Sequence, residues 1–214
     1  MNKKILLIGG GGHCKSVLDS TLKLNKYEKI GIIDKMENIG KNIMGTPIVG
    51  CDEDLPRLIR EGYKYAFITI GSIGNPFIRI KLFDLLIKIG YEIPTIIDPS
   101  ASVSEFSEIE KGVFIGKNSI VNAETVIEKA AIINSGSIIE HECKIEKFSH
   151  IAPGAVLGGS VTIKENSHIG SNSVIKQGII IGENSIIGMG SVVLKNINSN
   201  SMAYGNPCRE VKKL

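Results

Sequence analysis

The chain has 214 residues, enough for one large or two small domains, and its 43% hydrophobic and 22% charged residues are ordinary for a globular protein. A formal net charge of +3 gives no reason to expect a nucleic acid or an anionic membrane surface as a partner. No apolar run approaches the roughly 18 residues of a membrane-spanning helix. Four cysteines far apart in the chain predict neither a disulfide framework nor a zinc site, and a reducing cytoplasm suits them.

The first 96 residues alternate between strand-like and helix-like patterns. Residues 3–9, 30–34 and 65–71 predict strands, and residues 14–25 and 75–90 predict helices. The apolar run at the N-terminus is about five residues long, shorter than the roughly 7–15 apolar residues of a signal peptide, and therefore predicts a strand. Strand and helix alternation predicts a small Rossmann-like α/β domain with a parallel sheet over residues 1–96.

A different pattern begins at Ile97. Seventeen aliphatic residues lie six positions apart from Ile97 to Val193 without an insertion, and the residue four positions later is usually small, as at Ser119 and Ala131. A period of six fits neither a helix nor an alternating strand and is typical of hexapeptide-repeat β-helices, in which three hexapeptides form a coil of about 18 residues. Residues 97–214 are therefore predicted to form an all-β parallel β-helix domain with a C-terminal tail.

Four stretches carry a resemblance to a known family: Ile8–His13, Asn134–Cys143, Phe148–His150 and Gly205–Pro207. The chain resembles the bacterial sugar O- and N-acetyltransferases that join a small nucleotide-binding domain to a hexapeptide β-helix. UDP-4-amino-sugar N-acetyltransferases of the bacillosamine pathway are the nearest in pattern, and sialic acid O-acetyltransferases share the layout. The resemblance implies a left-handed β-helix, acetyl-CoA as donor, no metal, and a homotrimer with active sites between adjacent subunits.

Acetyl transfer to an amine needs a base and an oriented thioester. The resemblance implies that His141 is the general base and that Glu142 fixes its tautomer and raises its basicity. Both residues follow Ile139 at positions that should point away from the coil interior. An exposed His–Glu pair can also be simple surface, but inside this motif catalysis is the favoured interpretation.

The resemblance also implies an acetyl-CoA site. His150 would contact acetyl-CoA near the thioester, and the backbones of Ser171 and Met189, 18 residues apart, would hold the pantetheine arm. His168 lies 18 residues after His150, has no implied role, and is predicted to be a surface residue.

Cys143 offers a different mechanism, because a thiol beside a base can form an acyl-enzyme. However, Cys143 occupies the small inward position after Ile139. Core packing is therefore the favoured interpretation, with direct attack by the acceptor amine.

The glycine run Gly9–Gly12 follows a strand and opens a helix, where backbone N–H groups can cradle a diphosphate. The dinucleotide fingerprint is incomplete, since Cys14 stands in place of its third glycine, and a tight turn is the alternative. Lys35 stands where relatives often carry a second acid, which leaves the nucleotide open. The resemblance implies a nucleotide-sugar site made of Gly11, Gly12, His13, Asp34, Lys35 and Gly71.

These observations favour N-acetylation of a nucleotide-linked amino sugar. O-acetylation of a sialic or related nonulosonic acid is the first alternative. The second is a zinc lyase of the γ-carbonic anhydrase type, although the histidines show no close H-x4-H pair and the N-terminal domain would be unexplained. A non-catalytic scaffold would not require the His–Glu pair.

Overall fold

The computed structural model describes residues 3–214. Contacts divide the chain into two compact units: the first comprises residues up to Gly71 together with Phe77–Ile96, and the second comprises Ser72–Pro76 and Ile97–Leu214. A boundary drawn at residue 97 leaves Ser72–Pro76 with the first unit, whereas this segment packs with the second. No helix among residues 3–214 is long and apolar enough to cross a membrane.

The first unit is an α/β fold around a five-stranded sheet with the order β3-β4-β2-β1-β5. Pairing is parallel except between β3 and β4, which form an edge hairpin that the sequence pattern did not predict. Short 3₁₀ turns span Met36–Asn38 and Asp52–Asp54. The strands are β1 (Lys4–Ile8), β2 (Lys29–Ile33), β3 (Asn42–Ile43), β4 (Thr46–Gly50) and β5 (Tyr63–Ile68), and the helices are α1 (Gly12–Leu24), α2 (Leu55–Leu58) and α3 (Phe77–Ile89).

The central strand β1 and its parallel neighbours determine which edge of this sheet can form a site. Its residues from Ile5 to Ile8 are at most 1% exposed, as expected for a parallel strand covered on both faces. Because β1, β2 and β5 run parallel, the loops at their carboxyl ends meet at one edge. That edge carries Gly9–Gly12, Asp34–Lys35 and Thr69–Gly71.

The second unit is a parallel β-helix, and the predicted six-residue period is confirmed strand by strand. Each of 17 two-residue strands, β6 to β22, ends on one of the aliphatic positions between Ile97 and Val193. Strands 18 residues apart pair in parallel and build three faces. A hairpin of β23 and β24 closes the third face.

The first face contains β7 (Ser102–Val103), β10 (Ile120–Val121), β13 (Ile138–Ile139), β16 (Val156–Leu157), β19 (Val174–Ile175) and β22 (Val192–Val193). The second contains β8 (Glu108–Ile109), β11 (Val126–Ile127), β14 (Lys144–Ile145), β17 (Thr162–Ile163) and β20 (Ile180–Ile181). The third contains β6 (Ile96–Ile97), β9 (Phe114–Ile115), β12 (Ile132–Ile133), β15 (His150–Ile151), β18 (His168–Ile169), β21 (Ile186–Ile187), β23 (Ser201–Gly205) and β24 (Cys208–Lys213).

The small residues near the corners connect one coil to the next. The buried hydroxyl groups of Ser149 and Ser173 each donate a hydrogen bond of 2.9 Å to the carbonyl oxygen 15 residues later. Ser119 does the same at 2.8 Å. A hydroxyl fits the narrow interior and satisfies a buried carbonyl, which a larger apolar side chain could not do.

The outward sides of the first and second faces differ in chemistry. The first face presents an aliphatic stripe, with Ile120 37% and Val174 44% exposed. The second face carries ion pairs, among them Lys144 with Glu128 and Lys164 with Glu146. The stripe consists of Ile120, Ile138, Val156, Val174 and Val192.

Candidate active site

His141 and Glu142 lie at the corner between β13 and β14. The Nδ1 atom of His141 is 2.9 Å from Oε2 of Glu142, and both side chains are about half exposed. An ionised carboxylate can only accept, so Nδ1 carries the proton and Nε2 keeps its lone pair. The pair therefore presents an oriented base to the solvent side of the corner.

The coil geometry fixes the position of Glu142. Its φ is 58°, in the left-handed region that other corners fill with Asn118, Gly136 or Asn172. Its amide donates to the carbonyl of Ala123 at 3.0 Å, and the Ser160 hydroxyl donates to its Oε2 at 3.4 Å.

Gly159 makes room for the imidazole ring. It lies one coil beyond His141, and a Cβ atom built on it would be 2.5 Å from Cε1 of His141. Real side chains do not approach so closely, so only glycine leaves this space free. The sequence interpretation missed this residue, although the 18-residue spacing from His141 could have indicated it.

Cys143 packs in the β-helix core, as predicted. Its thiol donates to the carbonyl of Gly158 at 3.3 Å, and burial raises its pKa to about 11. A thiol that stays protonated near neutral pH is a poor nucleophile, which argues against an acyl-enzyme.

His150 points away from the coil interior but is buried, with 8% exposed. Its Nδ1 is 2.6 Å from the carbonyl oxygen of Ser72, and its Nε2 is 3.2 Å from Nδ2 of Asn134. Both ring nitrogens thus have protein partners, and contact with acetyl-CoA stays a prediction.

The predicted surface location of His168 is wrong. The residue is only 8% exposed, and its ring packs edge-on against that of His150 with centroids 4.9 Å apart. The segment Ser72–Pro76 contacts the neighbours of His168 on both sides: Ser72 reaches His150, and Gly74 lies against Ile186. Burial lowers the pKa of the His168 imidazole, which favours its neutral form.

Ser171 and Met189 stack at the corner that follows the third face. The amide of Gly190 donates to the carbonyl of Ser171 at 2.8 Å, and Met189 is 80% exposed. This corner and the His141 corner border opposite edges of the first face. One chain therefore does not bring these predicted acetyl-CoA residues together with His141.

In the first unit, the glycine run divides into a packed half and an open half. A side chain at Gly9 would collide with Ile70, and one at Gly10 would collide with the carboxylate of Asp34. A Cβ on Gly11 or Gly12 would meet no atom within 4 Å. The first two glycines are thus required by packing, and the second two leave the backbone accessible.

A cavity of about 700 Å³ lies at this edge, a size typical of small-molecule sites. Gly9, Asp34 and Lys35 line it, together with Asp52 and apolar side chains that include Phe77. Burial, and then the nearby carboxylates of Glu53 and Asp34, raise the pKa of Asp52.

The predicted nucleotide-sugar residues do not all line this cavity. Gly11, Gly12, His13 and Gly71 lie outside its described lining. A Cβ on Gly71 would be 3.6 Å from Cβ of His13, so these two residues are neighbours.

Among residues 3–214, no group of three or more His, Cys, Asp or Glu residues is placed to hold a metal ion.

Three family models match the chain. The PglD N-terminal domain matches residues 4–86, the GMPPB C-terminal domain matches residues 91–171, and the bacterial transferase hexapeptide (six repeats) matches residues 160–195. None of the curated proteins matches.

Similar solved structures cover almost the whole chain. PerB from Caulobacter crescentus, in complex with CoA and GDP-perosamine, is 30% identical with a TM-score of 0.91 over 98% of this chain and 97% of that one. A mutant perosamine N-acetyltransferase from the same organism, with the same ligands, is 29% identical with a TM-score of 0.92 over 98% and 97%. The acetyltransferase domain of PglB from Neisseria gonorrhoeae, with acetyl coenzyme A, is 29% identical with a TM-score of 0.92 over 99% and 100%.

Proposed function

Since the chain belongs to the family of PerB and the other hexapeptide-repeat N-acetyltransferases of sugars, we propose that it transfers the acetyl group of acetyl-CoA to the amino group of a nucleotide-linked amino sugar. The observation that carries this proposal is the oriented His141–Glu142 pair in a chain that matches PerB over 98% of its length.

In the proposed reaction the acceptor amine attacks the thioester carbon of acetyl-CoA directly. Nε2 of His141 takes the proton that the amine loses, and Glu142 stabilises the imidazolium through Nδ1. The tetrahedral intermediate then collapses, the C–S bond breaks, and the imidazolium returns the proton to the departing sulfur. The products are an N-acetylated sugar nucleotide and free CoA.

The glycine edge of the first unit is the proposed acceptor site. Open backbone at Gly11 and Gly12, at the start of α1, suits a diphosphate. Asp34 and Lys35 would lie against the nucleoside in the adjoining cavity, and His13 and Gly71 complete the proposed set.

Acetyl-CoA is assigned to the corner line of Ser171 and Met189, with His150 as a further candidate for contact near the thioester. Because that line and His141 border opposite edges of the first face, a second copy would be needed to bring the two kinds of residue together. The aliphatic stripe on the same face supports self-association there. We therefore propose a homotrimer in which adjacent subunits share each active site.

The four free cysteines support a reducing compartment, and we propose that the protein works in the cytoplasm.

The large cavity beside an open glycine loop favours a nucleotide-linked acceptor over a free nonulosonic acid, which has no diphosphate.

A substrate panel tests the proposal. Acetyl-CoA is incubated with UDP-, GDP- and dTDP-linked amino sugars and with free sialic acid, and thiol release is followed. We expect turnover with at least one nucleotide-linked amino sugar. Turnover with sialic acid alone would favour the O-acetyltransferase alternative.

A further inference from the structure

The carboxyl ends of three neighbouring strands form one row at the edge of the first unit. Strands β4, β2 and β1 are adjacent in the sheet and run parallel. The amide of Gly9, after β1, donates to the carbonyl of Ile33 at 2.8 Å, and the amide of Asp34, after β2, donates to the carbonyl at the end of β4 at 3.1 Å. Since adjacent strands lie about 4.8 Å apart, the loop after β4 lies roughly 10 Å from the glycine run. A nucleotide with its diphosphate at the glycine run can therefore place its base beside that loop.

The loop after β4 carries a carboxylate that is available to a ligand. Asp52 lines the cavity, whose lining residues all belong to the first unit. Within residues 3–214, no group donates a hydrogen bond to the Asp52 carboxylate. By contrast, Asp54 accepts hydrogen bonds from the amide of Cys51 at 3.0 Å and from Arg57 at 2.9 Å. Asp52 thus keeps its acceptor capacity for a bound molecule.

Helix α3 and the turn after β2 contribute apolar walls and a cation to the same cavity. Met36, Phe77 and Ile78 line it, although each is more than half exposed. Exposed apolar and aromatic side chains suit stacking with any base. Lys81, one helical turn after Phe77, also lines the cavity, and its charge opposes the rise that burial causes in the pKa of Asp52. A carboxylate and an ammonium group therefore lie near each other in an apolar cavity.

The nucleobases differ in the donors and acceptors that they offer to such a pair. Guanine presents the carbonyl oxygen O6 followed by two adjacent donors, N1–H and the 2-amino group. A carboxylate can accept from both donors at once, and an ammonium group can donate to O6. Uracil and thymine present one donor, N3–H, between two carbonyl oxygens, so a carboxylate would face an acceptor on either side of that donor. The pair in the cavity therefore matches guanine and disfavours uracil and thymine.

We propose that Asp52 selects guanine as the base of the acceptor by accepting hydrogen bonds from N1–H and the 2-amino group, while Lys81 donates to O6. The substrate class is then a GDP-linked amino sugar. This assignment rests on the acceptor site proposed above, because it places the base of that acceptor in the cavity. Binding of a nucleotide can be measured without acetyl transfer, so the two proposals can fail separately.

Calorimetric titration of the wild-type protein with GDP, IDP and UDP tests the pairing. IDP lacks only the 2-amino group of guanine. We expect GDP to bind about 10–100-fold more tightly than UDP, the discrimination typical of a good bidentate pair, and IDP to bind with intermediate affinity. Equal affinity for GDP and UDP, tighter binding of UDP, or no binding of any of the three would overturn the proposal.

Asp52→Asn changes the acceptors of this side chain with little change in its size. An amide offers one acceptor and one donor, which suit N3–H and O4 of uracil better than the two donors of guanine. GDP binding should weaken about 10–100-fold, UDP binding should strengthen, and the difference between GDP and IDP should disappear. Glu37→Gln is the matched control, since Glu37 is an exposed acid of the same unit outside the described lining of the cavity. It should bind all three nucleotides as the wild type does.

An unchanged preference in a folded Asp52→Asn variant would show that Asp52 does not select the base, and so would a change produced by Glu53→Gln instead. Acetylation assays with GDP- and UDP-linked amino sugars separate this proposal from the proposed function. If GDP binds through Asp52 but neither sugar is acetylated, the proposed reaction fails and the base assignment holds. If only the UDP-linked sugar is acetylated, the proposed reaction holds and the base assignment fails.

Discussion

Glu142 has a left-handed backbone, which asparagine or glycine supplies at many other corners, and its carboxylate lies 2.9 Å from Nδ1 of His141. Such a backbone conformation costs a non-glycine residue free energy. At this position the carboxylate accepts hydrogen bonds from His141 and, at 3.4 Å, from the hydroxyl of Ser160. The result is an imidazole whose Nε2 is ready to accept a proton.

His141→Ala should lower kcat by about 10²–10⁴-fold, since general base catalysis typically contributes that much. Alanine already occupies the equivalent position one coil earlier, at Ala123, so the fold should be retained. Steady-state kinetics and acetyl-CoA titration check this, and binding should be near wild type. Near-normal turnover would remove His141 from the base role.

Glu142→Gln should also have a lower kcat. Glu124→Gln, at the same corner one coil earlier and with a φ of 58°, should leave kcat unchanged.

Gly159→Ala should push the imidazole out of place, because its methyl group would overlap the ring of His141. We expect kcat to fall by about tenfold to a hundredfold, as small displacements of catalytic groups do, with little change in thermal unfolding. Gln177→Ala, at the next position in the same stack, is the control. Equal activity of the two variants would show that the ring does not depend on the space at Gly159.

The six-residue register allowed the sequence to predict which side chains point into the β-helix and which point outward. That register placed Cys143 inside and His141 outside. It could not predict the burial of His168 or the bond between His150 and Ser72, because these depend on a segment distant in sequence. The position of Gly159 beside His141 follows from the 18-residue spacing alone, so its role could have been predicted from the sequence pattern.

Among the elements, the loop between β1 and α1 shows how one glycine run has two physical roles. Gly9 and Gly10 are fixed by packing, while Gly11 and Gly12 face open space.

The sequence predicted β1, β2, β5 and the two long helices. It did not predict the β3–β4 hairpin, whose two-residue first strand is too short to show a period.

Gly12→Val should fold, since a Cβ atom at this position meets no atom within 4 Å, yet the side chain would obstruct the approach of a diphosphate to the helix start. KM for the sugar nucleotide should rise at least about tenfold, with KM for acetyl-CoA unchanged. Leu22→Val, at an exposed position of the same helix, controls for helix propensity. Equal loss for both substrates in a folded protein would refute the division of roles between the two units.

At the scale of the whole molecule, the first and second faces of the β-helix differ enough to predict which of the two another copy covers. The first face exposes aliphatic side chains, and the second is rich in ion pairs. Burial of aliphatic surface stabilises an assembly by about 25 cal/mol per Å², so the first face is the better interface.

Val174→Glu on the first face should disrupt the trimer, because it would bury a carboxylate among aliphatic side chains. Ile180→Glu on the second face is the matched control, since Ile180 is 43% and Val174 44% exposed in the single chain. Light scattering should give about three times 23.1 kDa for wild type and the control, and a smaller species with lost activity for Val174→Glu. A fully active monomer would contradict a site shared between subunits.

The central claim is that His141 mediates transfer of an acetyl group to the amine of a nucleotide-linked sugar. The most direct test is NMR identification of the product formed from acetyl-CoA and the best acceptor of the panel, with the wild type and His141→Ala compared. We predict an amide at the sugar nitrogen, one free CoA thiol for each product molecule, and about 10²–10⁴-fold slower formation by the variant. An acetyl ester on a sugar hydroxyl, or the same rate from both proteins, would contradict the claim.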